Sequence, residues 1–196
     1  MPSPLIHTAA AATISALCLK PNKDLKTTGV GFFWMMIACN LADFDFIPGL
    51  ISGDAMKFHH HPLSHNLMLP LFAAFFLSYL PLRSFPNSRI SRYWIFSAAA
   101  LSHPLLDATL FDPTGRCTAE LCGIQLFWPF SDAKYFNVFS FFESSRLGPS
   151  VSSWSNGFNA HIILREFLIG SVAVLTAALI RKTLRRSVLA SKPSPL

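Results

Sequence analysis

Charged side chains are scarce in this sequence. Asp, Glu, Lys and Arg together make up 13% of the 196 residues, about half the share of an ordinary soluble domain. A soluble protein of this length needs charge to cover its surface, so we expect lipid to cover part of this one. The net charge of +6 does not indicate nucleic-acid binding, because no arm rich in Lys and Arg with interleaved aromatic residues is present.

Several catalytic motifs are also missing. The sequence has no G-x-S-x-G motif, no cysteine with an obvious histidine partner and no glycine-rich phosphate loop. These absences argue against a serine or cysteine nucleophile and against a P-loop nucleotide site. The N-terminus has no Lys or Arg before its short, alanine-rich apolar run, so it does not resemble a cleaved signal peptide. If the protein is an enzyme, we expect its nucleophile to be water activated by a metal ion.

Cysteine is limited to four residues. Cys18 and Cys39 lie within apolar runs and are expected to be small buried hydrophobic residues. Cys117 and Cys122 share a polar loop, where they could form a disulfide in an oxidising compartment or remain two free thiols. The spacing does not choose between these two states.

Long apolar segments dominate the sequence, and 52% of its residues are hydrophobic. A full membrane crossing needs about 20 apolar residues. Several segments are shorter, so they could be tilted, or packed as core helices of a partly immersed bundle. Together they predict an all-α integral membrane bundle of about five helices. The predicted segments are Leu5–Leu19, Thr28–Leu41, Leu67–Leu82, Tyr93–Leu110 and Ile162–Ile180.

The rest of the chain is assigned to loops around this bundle. The stretch 111–160 is rich in Phe, Ser, Pro and Gly and has little helical period, so it predicts an irregular loop region that caps a polar site. We expect a single membrane-embedded domain over residues 1–186 and a disordered tail over residues 187–196.

Basic residues fall into three blocks at the ends of apolar segments. If each segment crosses the membrane once, the blocks lie on the same side, which the positive-inside rule makes cytoplasmic. We therefore expect an inner-membrane protein whose N-terminus and 43–65 loop face away from the cytoplasm. The blocks are Lys20, Lys23 and Lys26; Arg83, Arg89 and Arg92; and Arg181, Lys182, Arg185 and Arg186.

Two carboxylates follow the second apolar segment directly. Asp43 and Asp45 form a D-x-D motif at the predicted C-terminus of a helix. Acidic residues are unfavourable there because the helix dipole places partial negative charge at that end. They could simply end the helix, but that mismatch favours a functional role. We predict both as metal ligands, and either one could also act as a catalytic base.

A histidine turn precedes the third apolar segment. Imidazole and carboxylate together are the ligand set of zinc, iron and manganese sites, so the turn and the two carboxylates predict a divalent metal, zinc first among them. We predict His60 and His65 as ligands, although His59 and His61 fit the spacing equally well. The alternative is that these histidines are loop residues bound to water.

A further pair, His103 and Asp107, forms H-x-x-x-D. Residues four apart share a helix face, so both side chains can reach one ion. The alternative is a buried histidine hydrogen-bonded to the aspartate. We also predict His7 as a ligand and Glu166 as a catalytic residue that could act as the base. Their alternatives are a polar helix end for His7 and an acid beside a snorkelling Arg165 for Glu166.

Five short motifs follow one another in a specific order. They are PLIHTAAA, LADFDFIPG, HHPLSHNL, SHPLLDATLFDPTG and LFWPFSD. In this order and spacing they resemble the YdjM-like family of membrane-bound, metal-dependent hydrolases. The resemblance extends from His7 to about Glu166, which resembles the acid of the family's last helix.

The sequence departs from the family pattern in two motifs. His61 and Pro62 replace the Arg and Gly of the family's histidine turn, H-R-G-x-T-H-S, and Ala42 replaces the proline of its P-D-x-D. If the Arg-Gly pair binds an anionic substrate or shapes the turn, this substitution puts that role in doubt. The turn's His, Thr, His and Ser positions are matched, identically or conservatively, by His60, Ser64, His65 and Asn66.

The resemblance implies a metal-dependent hydrolase that acts at the non-cytoplasmic membrane face. The ligand order is more remotely similar to that of zinc-dependent phospholipases C and single-strand-specific zinc nucleases, which implies a phosphoester substrate. At a membrane, a lipid headgroup is the natural candidate, and membrane lipid is the expected partner. The competing hypothesis is a non-catalytic membrane protein whose polar site is structural or serves metal sensing or transport.

Overall fold

The chain is mostly helical in a computed structural model that describes residues 3–20, 24–53, 61–112, 115, 118–143 and 157–190. A 3₁₀ turn at Ala42–Asp45 and two short strands accompany the helices. The helices are α1 (Pro4–Cys18), α2 (Leu25–Cys39), α3 (Phe46–Ile51), α4 (Met68–Leu77), α5 (Arg89–Ala108), α6 (Ala119–Cys122) and α7 (Gly157–Ala190). The strands are β1 (Leu110–Phe111) and β2 (Phe142–Glu143).

Polar side chains mark where three of the long helices begin. Ser3 accepts a hydrogen bond from the N–H of Leu5, and Asp24 accepts one from the N–H of Lys26 at 3.0 Å. Ser88 caps α5 in the same way. Each cap satisfies an N–H group that the first helical turn leaves without a partner, so these helices begin before the apolar segments predicted for them.

The five predicted apolar segments correspond to α1, α2, α4, α5 and α7. α3 was not predicted, because its six residues are too few to show a helical period. The last helix continues to Ala190, so residues 187–190 are helical and not part of a disordered tail. The remainder of the predicted tail, residues 191–196, lies outside the described residues.

The core lies where α1 meets α2 and α5, with α4 packed on α5 and α7 packed along α1. Met35, Phe85 and Phe96 are fully buried there, and the two phenylalanine rings stack with centroids 4.8 Å apart. Burying one such side chain contributes about 1.5–3 kcal/mol. Ala11 and Ala99 are also fully buried, and these small residues leave room for the larger ones between the helices.

One described helix is long and apolar enough to cross a membrane. It is the 29-residue part of α7 from Asn159 to Ser187, in which an 18-residue window has a mean hydropathy of 2.0. A second span is formed only if α2 and the segment Ala42–Ile51 are taken together, with a bend of 62° between them. α1 and α4 are apolar but shorter. The prediction of about five membrane helices is therefore not confirmed, since ten residues of α4 extend only about 15 Å.

The stretch between α5 and α7 contains more regular structure than the predicted irregular cap. β1 and β2 pair in parallel, with Leu110 opposite Phe142, and Ile124 forms an isolated antiparallel bridge with Tyr135. Cys122 is disulfide-bonded, in agreement with one of the two states that the sequence allowed. Its expected partner, Cys117, lies outside the described residues.

The contact between α1 and α7 is close enough to exclude a side chain. A Cβ built on Gly170 would lie 2.5 Å from the Cβ of Ala9, whereas a Cβ on Gly29 in α2 would have no atom within 4 Å. The two helical glycines therefore form a matched pair, one at a helix contact and one exposed.

We expect Gly170→Ala to destabilise the protein, because α1 and α7 must move apart. The free energy of unfolding should fall by about 1–3 kcal/mol. Gly29→Ala should raise it by about 0.5–1 kcal/mol, since alanine has the better helix propensity and meets no neighbour. Thermal unfolding of both variants in detergent, beside the wild type, measures the difference. Equal effects of the two substitutions would contradict the close α1–α7 contact.

Candidate metal centre

His103 and Asp107 provide the first pair of the site. They lie one turn apart on α5, and Nε2 of His103 is 3.3 Å from Oδ2 of Asp107. Both side chains are 1% exposed. The predicted H-x-x-x-D spacing therefore places an imidazole nitrogen and a carboxylate oxygen side by side on the buried face of α5, near its C-terminal end.

Asp43 approaches the same pair from α2. The α-helix ends at Cys39, and the 3₁₀ turn that follows directs Asp43 inward, where it is 5% exposed. Its Oδ1 lies 3.3 Å from Nε2 of His103 and 3.8 Å from Nε2 of His65. The break after α2 thus places a carboxylate opposite the face of α5 that carries His103.

His65 joins the site from the turn before α4. Its Nε2 is 3.5 Å from Oδ2 of Asp107, and its Nδ1 is 3.1 Å from Oδ2 of Asp45. Burial alone would lower the pKa of His65, but the neighbouring carboxylates of Asp43, Asp45 and Asp107 outweigh burial and raise the pKa above its usual value. Protons therefore compete with a cation for this ring.

Asn66 holds the histidine turn in place. Its side-chain oxygen accepts hydrogen bonds from the N–H groups of Met68 and Leu69 at the start of α4, at 2.7 and 2.9 Å. Its amide nitrogen donates to the carbonyls of Pro62 and Leu63. One buried side chain thus joins the turn to the helix and fixes the direction of the adjacent His65.

His7 completes the group from α1. Its ring stacks on the ring of His103, with centroids 3.8 Å apart and planes inclined by 16°. Its Nε2 is 3.7 Å from Oδ1 of Asp107. His7 is fully buried, and neither of its ring nitrogens has a hydrogen-bond partner in the described part of the chain.

The spacing of these atoms suits a metal ion better than direct hydrogen bonds. The histidine Nε2 atoms lie 3.3–3.8 Å from the carboxylate oxygens of Asp43 and Asp107, beyond the usual hydrogen-bond distance of about 2.7–3.2 Å. Tetrahedral ligands at about 2.0–2.1 Å from a zinc ion are roughly 3.3–3.4 Å apart. Two groups of three have ligand atoms within 4.8 Å of one another, namely His7, His103 and Asp107, and Asp43, His65 and His103.

The outward-facing ring nitrogens of two histidines already have partners. Nδ1 of His103 donates to the carbonyl oxygen of Cys39 at 2.8 Å. Nδ1 of His65 faces Asp45 and the hydroxyl of Ser64, each at 3.1 Å. A hydrogen bond at Nδ1 leaves the lone pair on Nε2, which is the atom that faces the centre of the site.

The other described residues that the sequence predicted for the site are not part of the two groups of ligand atoms. Asp45 is in neither of the two groups, and its Oδ2 also accepts a hydrogen bond from Ser64 at 2.6 Å. Glu166 is buried, but both of its carboxylate oxygens accept hydrogen bonds from Ser3, including the N–H of Ser3 at 3.0 and 3.1 Å. His61 is exposed and accepts the N–H of Leu63. The predicted ligand His60, together with His59, lies outside the described residues.

Sequence reasoning missed the groups that orient the histidines. The backbone carbonyl of Cys39 and the hydroxyl of Ser64 carry no sequence signal for this role, because a carbonyl is present in every residue and a serine next to a histidine is common. The Glu166–Ser3 contact was also missed, since it joins residues from opposite ends of the chain. Only Asn66, at the cap position of an apolar helix, could have been identified from the sequence.

Comparisons with known proteins bear on the family of the chain and not on the chemistry of the site. No curated protein and no solved structure matches the chain. A sequence model described as YdjM inner membrane protein matches residues 1–186, which confirms the family resemblance in the motifs. With its match over nearly the whole sequence, this chain belongs to the YdjM inner membrane protein family.

Proposed function

We propose that this protein is a membrane-bound, metal-dependent hydrolase. The observation that carries the proposal is the convergence of three imidazoles and two carboxylates, all buried, from helices α1 and α5, the 3₁₀ turn after α2 and the histidine turn before α4. Atoms of His7, Asp43 and His103 in this group have no hydrogen-bond partner among the described residues. A buried polar atom without a partner costs free energy, and a cation would remove that cost.

The proposed ligands form a site for one ion. His103 can offer only Nε2, because its Nδ1 is bonded to the carbonyl of Cys39. Both groups of three contain this single atom, so they describe two sides of the same site. The five proposed ligands are His7, Asp43, His65, His103 and Asp107. Neutral imidazoles with carboxylates suit zinc, iron or manganese, with zinc our first choice.

Asp45 takes an orienting role in this proposal. Its carboxylate faces Nδ1 of His65 at 3.1 Å and so holds the ring with Nε2 directed at Asp43 and Asp107. A carboxylate behind a metal-bound histidine fixes the tautomer and raises the basicity of the ring. Asp43 is the proposed proton acceptor, because its Oδ2 has no hydrogen-bond partner in the described part of the chain.

Glu166 stabilises the site indirectly. Its hydrogen bonds to Ser3 join α7 to the N-terminus of α1, one helical turn before His7. A carboxylate at this end of a helix is also favoured by the helix dipole. We therefore assign Glu166 to the placement of His7.

The substrate class follows from the location and the ligands. A divalent cation in this site would polarise a phosphoryl oxygen and lower the pKa of water. A membrane protein with such a site has lipid phosphoesters within reach, and we propose a phosphoester, such as that of a lipid headgroup, as the substrate. We further propose that the helices form a membrane bundle with the site at the face away from the cytoplasm, opposite the basic end of α7.

A closed, non-catalytic metal site is the second candidate. It is favoured by burial, because His7, His65, His103 and Asp107 are between 0% and 1% exposed. Catalytic metal sites keep one position open to substrate, whereas structural sites are closed. In this alternative the ion would join α1, α5 and the two loops, and its removal would unfold that end of the protein.

Metal content tests both candidates first. We expect purified wild-type protein to hold about one equivalent of a divalent metal, and Asp107→Ala and His65→Ala to lose most of it. His161→Ala is the matched control, because His161 is an exposed histidine outside the site. Elemental analysis of detergent-purified protein gives the stoichiometry. An equal metal content in all four proteins would contradict the proposed ligands.

Replacement of Asp45 tests whether this residue orients His65 or binds the metal ion itself. Asp45→Asn removes the charge behind His65 and should weaken metal affinity about 10–100-fold while leaving the stoichiometry at saturation unchanged. Competition with a fluorescent chelator measures the affinity. A lower stoichiometry at saturating metal would instead make Asp45 a ligand, as the sequence predicted.

Hydrolysis distinguishes the enzyme from the closed site. We expect wild-type protein in lipid vesicles to release product from a phosphodiester or phospholipid substrate, with activity lost on chelation and in Asp107→Ala but kept in His161→Ala. Thermal unfolding is measured on the same samples. A chelator that lowers the melting temperature, without any hydrolysis by the metal-loaded protein across these substrates, would overturn the hydrolase proposal in favour of the closed site.

A further inference from the structure

A groove between α1 and α7 opens at the end of the molecule opposite the metal centre. Its volume is about 640 Å³, and Ala12, Ala16 and Phe32 form part of its apolar wall. Basic side chains line its mouth. They are Lys20, Arg181, Lys182, Arg185 and Arg186.

Two of these cations are already engaged by the protein. Arg181 donates hydrogen bonds to the carbonyls of Ala16, at 2.6 Å, and Leu19, where α1 ends. Lys20 donates to the side chain of Asn87 at 2.6 Å. Both therefore have structural roles that hold the groove together, and a ligand must be recognised by the others.

The other three cations are available to a ligand. Lys182, Arg185 and Arg186 are exposed on the last turns of α7, and no acidic side chain pairs with them in the described part of the chain. Asp24 lies between Lys20 and Thr28, which line the groove. Its carboxylate accepts hydrogen bonds from the N–H groups of Lys26 and Thr27 in the first turn of α2. Three uncompensated cations at one mouth favour an anionic ligand.

Ser15 is a second, independent indication of a ligand. It lines the groove, is 8% exposed, and its Oγ has no hydrogen-bond partner in the described part of the chain. Ser15 lies one turn below the carbonyl end of α1, between the basic mouth and the apolar wall. A ligand with polar groups just inside its charged end would satisfy this hydroxyl.

The apolar wall continues beyond this groove. A second groove of about 420 Å³ shares Ala12 with the first and follows α1 and α7 past Ala9, Gly170 and Val174. At Gly170 the two helices approach so closely that a side chain there would contact Ala9. A charged mouth followed by a long apolar channel matches a molecule with an anionic head and a hydrocarbon chain.

We propose that this groove binds an anionic phospholipid. The phosphate lies among Lys182, Arg185 and Arg186, the ester region reaches the hydroxyl of Ser15, and one acyl chain lies along α1 and α7. Because α7 is the helix able to cross a membrane and its uncharged apolar run ends at Ile180, directly before Arg181, Lys182, Arg185 and Arg186 lie at the height of the headgroups. The mouth is separated from Glu166 near the metal centre by about four and a half turns, or roughly 24 Å, so the lipid is not the substrate of that site.

The test is a titration of the full-length protein in detergent with phosphatidylglycerol, beside phosphatidylcholine of the same acyl chains and inorganic phosphate. Neutralising two cations with Arg185→Gln and Arg186→Gln should weaken phosphatidylglycerol binding about thirtyfold. Lys26→Gln with Arg83→Gln is the matched control, because both are exposed basic residues outside the groove. Ala12→Phe keeps every charge but fills the apolar wall, and it should weaken binding as well.

The outcomes separate a lipid site from simpler explanations. Binding that prefers phosphatidylglycerol, and that is weakened by both groove variants but not by the control, supports the proposal. Equal binding of phosphatidylcholine, equal loss in the control variant, or equal competition by inorganic phosphate would overturn it. The metal content of each variant should stay at the wild-type value, which verifies folding independently of lipid and of any hydrolase activity.

Discussion

Two buried carboxylates set the main constraint on this structure. Asp43 and Asp107 lie in the interior of an apolar helical protein, and the groups that surround them are the imidazole rings of His7, His65 and His103. A buried charge is costly unless it is paired and hydrogen-bonded. The helices, the 3₁₀ turn and the histidine turn are arranged so that one cation could be shared by all five side chains. Other features of that end of the molecule, such as Asn66 capping α4 and Glu166 holding Ser3, keep the rings in position.

The protein is polarised along α1 and α7. At one end the histidines and carboxylates meet. At the other end Arg181 caps the carbonyl end of α1, and three further cations have no acidic partner among the described residues. The same pair of helices thus carries a site suited to a cation and a surface suited to an anion. The separation is a consequence of helix length, because the histidines and carboxylates lie near the starts of α1 and α7 and the cations lie near the ends of these two helices.

The sequence predicted the existence of the five longer helices better than the residues at which they begin and end. The caps Ser3, Asp24 and Ser88 lie outside the apolar segments, so each of these helices begins earlier than its hydrophobic pattern indicates. α3 could not be predicted because six residues are too few to show a helical period. The pairing of Leu110 with Phe142 could not be predicted because it joins distant parts of the chain. The number of membrane crossings could not be predicted from the hydrophobic pattern either, because a short apolar run is equally typical of a buried core helix and of a tilted membrane span.

By itself, the sequence determined which chemistry is available at the site. Scarce charge, a few histidines and aspartates at the ends of apolar segments, and the one-turn spacing of His103 and Asp107 limited the ligands to a short set. Only the tertiary structure decided which of these residues meet at the centre of the site and which contact other partners. It placed Asp45 behind His65, joined Glu166 to Ser3 and stacked His7 on His103. The reason is physical: the direction of a side chain depends on the turn that carries it and on what packs against it. Two carboxylates separated by one residue, such as Asp43 and Asp45, therefore face different partners although the sequence presents them as equivalent.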